Sequence, residues 1–106
     1  MDKHKLLIVD DDESIQLAMK WAFAQEFEIL LASNRQEAVE IFQVERPPLV
    51  TLDLGLPPAT RGVEEGFLTL ASLLEEDPFA KVIIISGQGE KQRERTWSKK
   101  TPSLNR

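Results

Sequence analysis

The chain has 106 residues, with 13 Lys+Arg, 18 Asp+Glu, one His and no Cys. That length suits one domain with one modest core, and the lack of cysteine excludes a disulfide scaffold, a thiolate metal site and a cysteine nucleophile. The net charge of −5 hides an asymmetry, because residues 1–87 carry 7 Lys+Arg against 16 Asp+Glu while residues 88–106 carry 6 against 2.

The chain opens on a very short apolar stretch that meets acid at Asp10, so no signal peptide is expected. Lys5 to Val9 is a continuous apolar run after its first residue, which suits a strand buried on both faces. Ile15, Ala18, Met19, Ala22 and Phe23 then recur at helical spacing and predict a helix with one apolar stripe, started by Asp11 or Asp12 as cap. On that helix, Trp21 is expected to be partly buried packing. Phe27 to Ala32 predicts a second strand. Asn34 with Glu37 forms a capping box for a second helix, which buries Ala38, Ile41 and Phe42 and stops at Pro47-Pro48. Leu49 to Leu52 predicts a third strand ending in Asp53. A loop with Gly55, Pro57, Pro58 and Gly62 follows. Phe67, Leu70, Ala71, Leu73 and Leu74 mark a third helix whose Phe and Leu residues are expected in the core. Lys81 to Ile85 predicts a fourth strand, ending in Ser86-Gly87.

Strands alternating with helices predict a parallel sheet covered by helices through right-handed crossovers. The periodicity stops after Ile85. The expected organisation is therefore an ordered domain over 1–87 and a basic, poorly ordered tail over 88–106. The acidic body argues against nucleic-acid binding, since phosphate contacts need Lys and Arg. Trp97 among the basic tail residues is the one feature of the opposite kind. No apolar run is long enough to span a membrane, and a cytoplasmic location is expected. His4, the only histidine, is expected to be exposed.

In an open parallel sheet, sites form at the carboxyl ends of strands, where the strand order reverses. Asp10-Asp11-Asp12, Asp53 and Ser86 all stand at such ends. If the first and third strands are neighbours, several carboxylates converge. Two unit charges 4 Å apart repel by about 4 kcal/mol at an effective dielectric near 20. A hard divalent cation removes that penalty, and Mg²⁺ takes one or two carboxylates while accepting phosphate oxygens. A carboxylate beside such a metal can itself be the nucleophile. Each acidic group taken alone reads as a helix cap or a turn residue. Together, at the tips of successive apolar strands, they point to a Mg²⁺ site open to a phosphoryl group.

Leu6 to Asp12, Leu52 to Pro57 and Val82 to Gly87 resemble the opening, the phosphoacceptor segment and the switch strand of the receiver domain of two-component response regulators. The resemblance covers residues 4–87, with steps of 42 residues from Asp11 to Asp53 and 33 from Asp53 to Ser86. It implies a flavodoxin-like, CheY-like doubly wound sheet, here incomplete, with four strands in the order 2-1-3-4. It implies that Asp53 takes a phosphoryl group from a sensor histidine kinase. Asp11, Asp53 and the Gly55 carbonyl would hold Mg²⁺, Asp10 would orient a metal-bound water, and Ser86 would bond a phosphoryl oxygen. It further implies a phosphoacceptor that promotes its own phosphotransfer and dephosphorylation.

The chain departs from the family after Gly87. No fifth strand ending in Lys-Pro is visible, and Lys99 and Lys100 come too early to replace that lysine. Impaired phosphotransfer is therefore expected, from a receiver truncated after its fourth strand. An exposed fourth strand would invite a homodimer. Two other readings use the same residues. In a haloacid-dehalogenase-like phosphatase Asp10 would be the nucleophile and Asp12 the acid, leaving Asp53 without a role. A binding module could keep the fold and act without phosphate.

Overall fold

The structure, a computed structural model, describes residues 3–56 and 64–85. In chain order they form β1 (His4–Val9), α1 (Glu13–Phe23), β2 (Phe27–Ala32), α2 (Arg35–Glu45), β3 (Leu49–Asp53), α3 (Glu64–Glu76) and β4 (Lys81–Ile85). The strands make one parallel sheet in the order β2-β1-β3-β4. This is the expected doubly wound order. The chain leaves β1 on one side and returns on the other at β3, so the connections reverse direction between these two strands.

The core follows from strand alternation and register. Leu7 stands opposite Val50, and Val9 opposite Leu52. One apolar stripe therefore crosses the sheet, since successive side chains point to opposite faces. On that face Ala38 and Phe42 of α2 and Leu73 of α3 complete the buried cluster. Arg35 pairs with Glu65 at 3.0 Å, and Arg46 pairs with Glu76 at 3.4 Å, tying α2 to α3.

Local chemistry sets the helix limits. Asp12 caps α1, its carboxylate accepting the N–H groups of Ser14 (2.9 Å) and Ile15 (3.4 Å). Asn34 caps α2 by accepting the Glu37 N–H at 2.9 Å, while Glu37 accepts the Ser33 N–H at 2.8 Å. Such reciprocal bonds satisfy amide groups that a helix start leaves orphaned. Arg46 ends α2 in the left-handed region at φ 50°. Its N–H donates to the Phe42 carbonyl at 2.9 Å and its guanidinium lies 5.9 Å from the Phe42 ring centre. Those contacts, with the Glu76 pair, hold a conformation that glycine adopts at less cost. Pro47, which follows, is buried.

Two expectations about packing are corrected. Among the residues of α1 only Gln16 is buried. Ile15 and Phe23 stand at the edge of solvent. Trp21, expected to be partly buried, is 82% exposed. It lies five positions beyond Gln16, about 140° around the helix from the buried side. On α3, Leu73 is buried as expected, but Phe67 is 53% exposed and Leu68 is exposed as well. This helix rests on α2 and β3, and these two residues face neither.

The segment after β3 is more buried than a loop reading suggests. Leu54 and Leu56 both enter the core. Gly66 lies inside α3 and against Leu54. A Cβ there would overlap the Leu54 main chain. Pro57, Pro58 and Gly62 lie outside the described residues, as do Ser86, Gly87 and the 88–106 tail. His4 is exposed, as expected, but begins β1 instead of preceding it.

Candidate metal and phosphoryl site

Register brings the acidic residues together. Val9 and Leu52 are paired on adjacent parallel strands, so the positions that follow, Asp10 and Asp53, emerge side by side. Each of Asp10, Asp11 and Asp53 offers a carboxylate oxygen, and these atoms all lie within 4.8 Å of one another. Asp10 and Asp53 are buried while Asp11 is exposed, so the cluster has a closed floor and an open mouth. Gly55, the expected backbone ligand, is adjacent. Its N–H donates to Asp53 Oδ1 at 3.0 Å. Asp12, the fourth acidic residue of the region, turns to the helix start and accepts the Ser14 hydroxyl at 2.6 Å as well as the α1 amides.

Burial pushes the Asp10 carboxyl up to about 6 from its ordinary 3.8. The Asp12 N–H, donated to Asp10 Oδ1 at 2.9 Å, pulls it back, while the charges of Asp53, Asp11 and Asp12 push it further up. Oxygen donors held this close, mutually repelling and open on one side, have the chemistry of a hard divalent cation site. The donor set fits Mg²⁺.

A pH effect follows. The native chain holds the Asp10 proton more tightly than the unfolded chain does. Between about pH 4 and 6 the native state therefore binds more protons, and this group's penalty disappears as pH falls through that window. Above pH 6 the full penalty is present. Two units correspond to roughly 3 kcal/mol, which solvent at the open side reduces to about 1–2 kcal/mol. In EDTA, Asp10→Asn is expected to exceed the wild type in stability by that amount at pH 7.5, with the gap closing by pH 4. Urea denaturation at both pH values measures it; a gap that does not change with pH contradicts the assignment.

Two residues of the site region escaped the sequence reading. Gln16 lies off the apolar stripe, yet its side chain is buried against the tips of β1 and β2. Its place six residues after Asp10, on the second turn of a helix that starts at the strand tip, was the available signal. Gly66 carried no signal beyond being glycine, because its close neighbour Leu54 is distant in the chain.

Comparison with known proteins agrees with this architecture. The sequence model of the response regulator receiver domain matches residues 6–99. The chain belongs to the receiver domain family of two-component response regulators. This match runs past Gly87, where the expected domain ends. The receiver is 36% identical over 88 residues to the chemotaxis protein CheY of Listeria monocytogenes, covering 81% of this chain and 70% of that protein. It is 34% identical over 91 residues to sporulation initiation phosphotransferase F of Bacillus subtilis, covering 85% and 69%. Among solved structures, a CheY-like receiver domain protein from Methanospirillum hungatei superposes with a TM-score of 0.73 at 26% identity, covering 81% of this chain and 66% of that one. The fold also matches a response regulator from Burkholderia pseudomallei, solved with a phosphorylated aspartic acid and a calcium ion, at a TM-score of 0.70 and 22% identity, covering 80% and 48%. Of other relatives the receiver spans far less, such as 24% of a probable transcriptional regulator from Cyanophora paradoxa.

Membership in this family supersedes the phosphatase reading, which had no use for Asp53. Receiver domains take phosphoryl groups from histidine kinases or phosphotransfer proteins and bind Mg²⁺ at an acidic pocket. Among the described residues, no helix is long and apolar enough to cross a membrane.

Proposed function

We propose that Asp53 is the phosphoacceptor of this receiver, taking its phosphoryl group from a phosphohistidine of a sensor kinase in the cytoplasm. The observation that carries this reading is the meeting of the Asp10, Asp11 and Asp53 carboxylates at the tips of two adjacent strands. Asp11, Asp53 and the Gly55 carbonyl would hold Mg²⁺, with Asp10 reaching it through a water. When bound, the ion would neutralise phosphoryl oxygens and lower the cost of bringing an anion to a carboxylate.

The residues of the chain do the rest. An Asp53 carboxylate oxygen forms a bond to phosphorus, and the bond from phosphorus to the imidazole nitrogen breaks. The nitrogen keeps the electron pair, and a phosphohistidine protonated at its other ring nitrogen leaves as neutral imidazole. The Gly55 N–H on Asp53 Oδ1 restrains the carboxylate rotor, which leaves less rotation to lose on reaction. Ser86, next after β4, is the expected donor to a phosphoryl oxygen. Water attack on phosphorus releases phosphate and returns the Asp53 carboxylate.

Incubation of the purified chain with acetyl phosphate and Mg²⁺, followed by peptide mass spectrometry, tests the assignment. One phosphoryl group on Asp53, absent in EDTA, is expected. Label on Asp10 would instead favour a phosphatase-like chemistry, and no label on any carboxylate would favour a module that binds partners without phosphate.

The same reading includes a homodimer through β4. Among the described residues β4 pairs only with β3, and Ile83 is 51% exposed. An edge with apolar side chains offers backbone groups to a second copy. Sedimentation is expected to show a concentration-dependent dimer that Ile83→Lys weakens; a monomer at all concentrations counts against it.

A further inference from the structure

We propose that Gln16 is a positioning residue of the acidic site, holding the turn between β1 and α1 so that Asp10 and Asp11 face Asp53 in a geometry that favours Mg²⁺ over larger cations. The inference rests on the reading of the cluster as a Mg²⁺ site, and deepens it.

Gln16 is 7% exposed, on a helix whose apolar residues lie largely at the surface. The most buried position of α1 thus holds an amide. Burying an amide costs free energy unless its donors are satisfied. Here Nε2 donates to the Asp10 carbonyl at 2.6 Å and the Ala32 carbonyl at 3.1 Å, and lies 3.3 Å from the Ser33 hydroxyl. The Asp10 N–H donates to the same Ala32 carbonyl at 2.9 Å. Both main-chain groups of Asp10 are therefore tied to the core by a small network that joins the ends of β1 and β2. At the other end of the turn, Asp12 is fixed by its cap bonds, and its N–H holds the Asp10 carboxylate. Asp11 stands between these two anchors. Of the two, the first depends on the Gln16 amide, which bonds the main chain of Asp10.

Cation choice is sensitive to such anchoring. Mg²⁺ demands near-octahedral oxygen ligands at about 2.0–2.1 Å, whereas Ca²⁺ accepts flexible sets at about 2.3–2.6 Å. Loosening the turn should therefore cost Mg²⁺ affinity more than Ca²⁺ affinity. Groups that orient ligands without touching the metal typically govern about 10- to 100-fold in affinity.

The test is titration calorimetry of Mg²⁺ and Ca²⁺ on the full chain, as wild type, Gln16→Met and Asp53→Asn, with urea midpoints measured alongside. Methionine keeps the length of the side chain and removes the donor. The expected result is a fall of about 10-fold or more in Mg²⁺ affinity for Gln16→Met, with Ca²⁺ affinity falling several-fold less. Should Gln16→Met not fold, Gln16→Asn serves instead, since it keeps an amide but withdraws it by one methylene. A variant that is less stable but keeps the wild-type ratio of Mg²⁺ to Ca²⁺ affinity overturns the proposal, because a packing role alone would give that result. Wild-type chain that binds no Mg²⁺, or binds it equally well as Asp53→Asn, overturns the reading of the site and this inference with it.

Discussion

Asp53→Asn is expected to abolish acyl-phosphate formation while leaving the fold intact. The amide oxygen of asparagine can still accept the Gly55 N–H that now reaches Asp53 Oδ1 at 3.0 Å. Buried against the end of β3, the side chain changes by little in volume. What disappears is the proposed nucleophile, since a neutral amide does not attack phosphorus. The loss should be complete within detection, whereas Asp10→Asn should slow the reaction and leave Asp53 the labelled residue. The substitution also removes one of the three charges that converge in the cluster. Mg²⁺ affinity should therefore fall by about tenfold or more, as expected when an ionised ligand is replaced by a neutral one. Radiolabel from a phosphorylated kinase, read beside Mg²⁺ titration, measures both effects. Undiminished labelling of the Asp53→Asn chain would place the acceptor elsewhere.

Gly66→Ala is expected to be the most damaging single methyl addition in the described part of the chain. Helix propensity alone predicts the opposite sign, since alanine is favoured over glycine in a helix, by up to about 1 kcal/mol at interior positions. The contact decides otherwise. A Cβ at position 66 would overlap the Cα and carbonyl of Leu54, which are backbone atoms and cannot swing away as a side-chain tip can. Relief requires α3 to move off β3, opening the cluster that includes Leu52, Leu54 and Leu73. Overpacking typically costs about 1–3 kcal/mol, and a clash with main chain falls at the upper end, a large part of the roughly 5–15 kcal/mol that holds a small domain together. Urea denaturation should show a lower midpoint. Because Leu54 follows Asp53 directly, any folded fraction should also bind Mg²⁺ less well. A variant as stable as the wild type would mean that the helix approaches the strand less closely than the structure shows.

The elements were legible because each short apolar run and each helical stripe is bounded by its own local signal. Asp12 and Asn34 cap, Pro47 stops, and the β-branched run at residues 82–85 ends at a polar pair. Convergence of Asp10 and Asp53 could be anticipated only on the condition that β1 and β3 are neighbours, and sheet order is a long-range property. The resemblance to receivers supplied that condition, and the register of Val9 with Leu52 bears it out. Phe67 on α3 and the stripe residues Ile15 and Phe23 on α1 stay exposed for one reason. Hydrophobic periodicity reports which residues share a helix face, but not whether another element covers that face.

Gln16 and Gly66 illustrate the same divide more sharply. By composition one is a polar helix residue and the other a helix breaker, so neither attracts a functional reading. Their weight comes from contacts with residues elsewhere in the fold: carbonyls at the tips of two strands, and the main chain beyond a third.

Sequence alone therefore determined the alternation of strands and helices, the acidic character of the strand tips and the kinship with receivers, because these reside in patterns a few residues long. Tertiary structure alone decided which carboxylates share one pocket, which apolar faces stay wet and which small or polar residues lie in close contact with distant parts of the chain. Those outcomes depend on distances between atoms that the chain brings together only when the sheet closes its register.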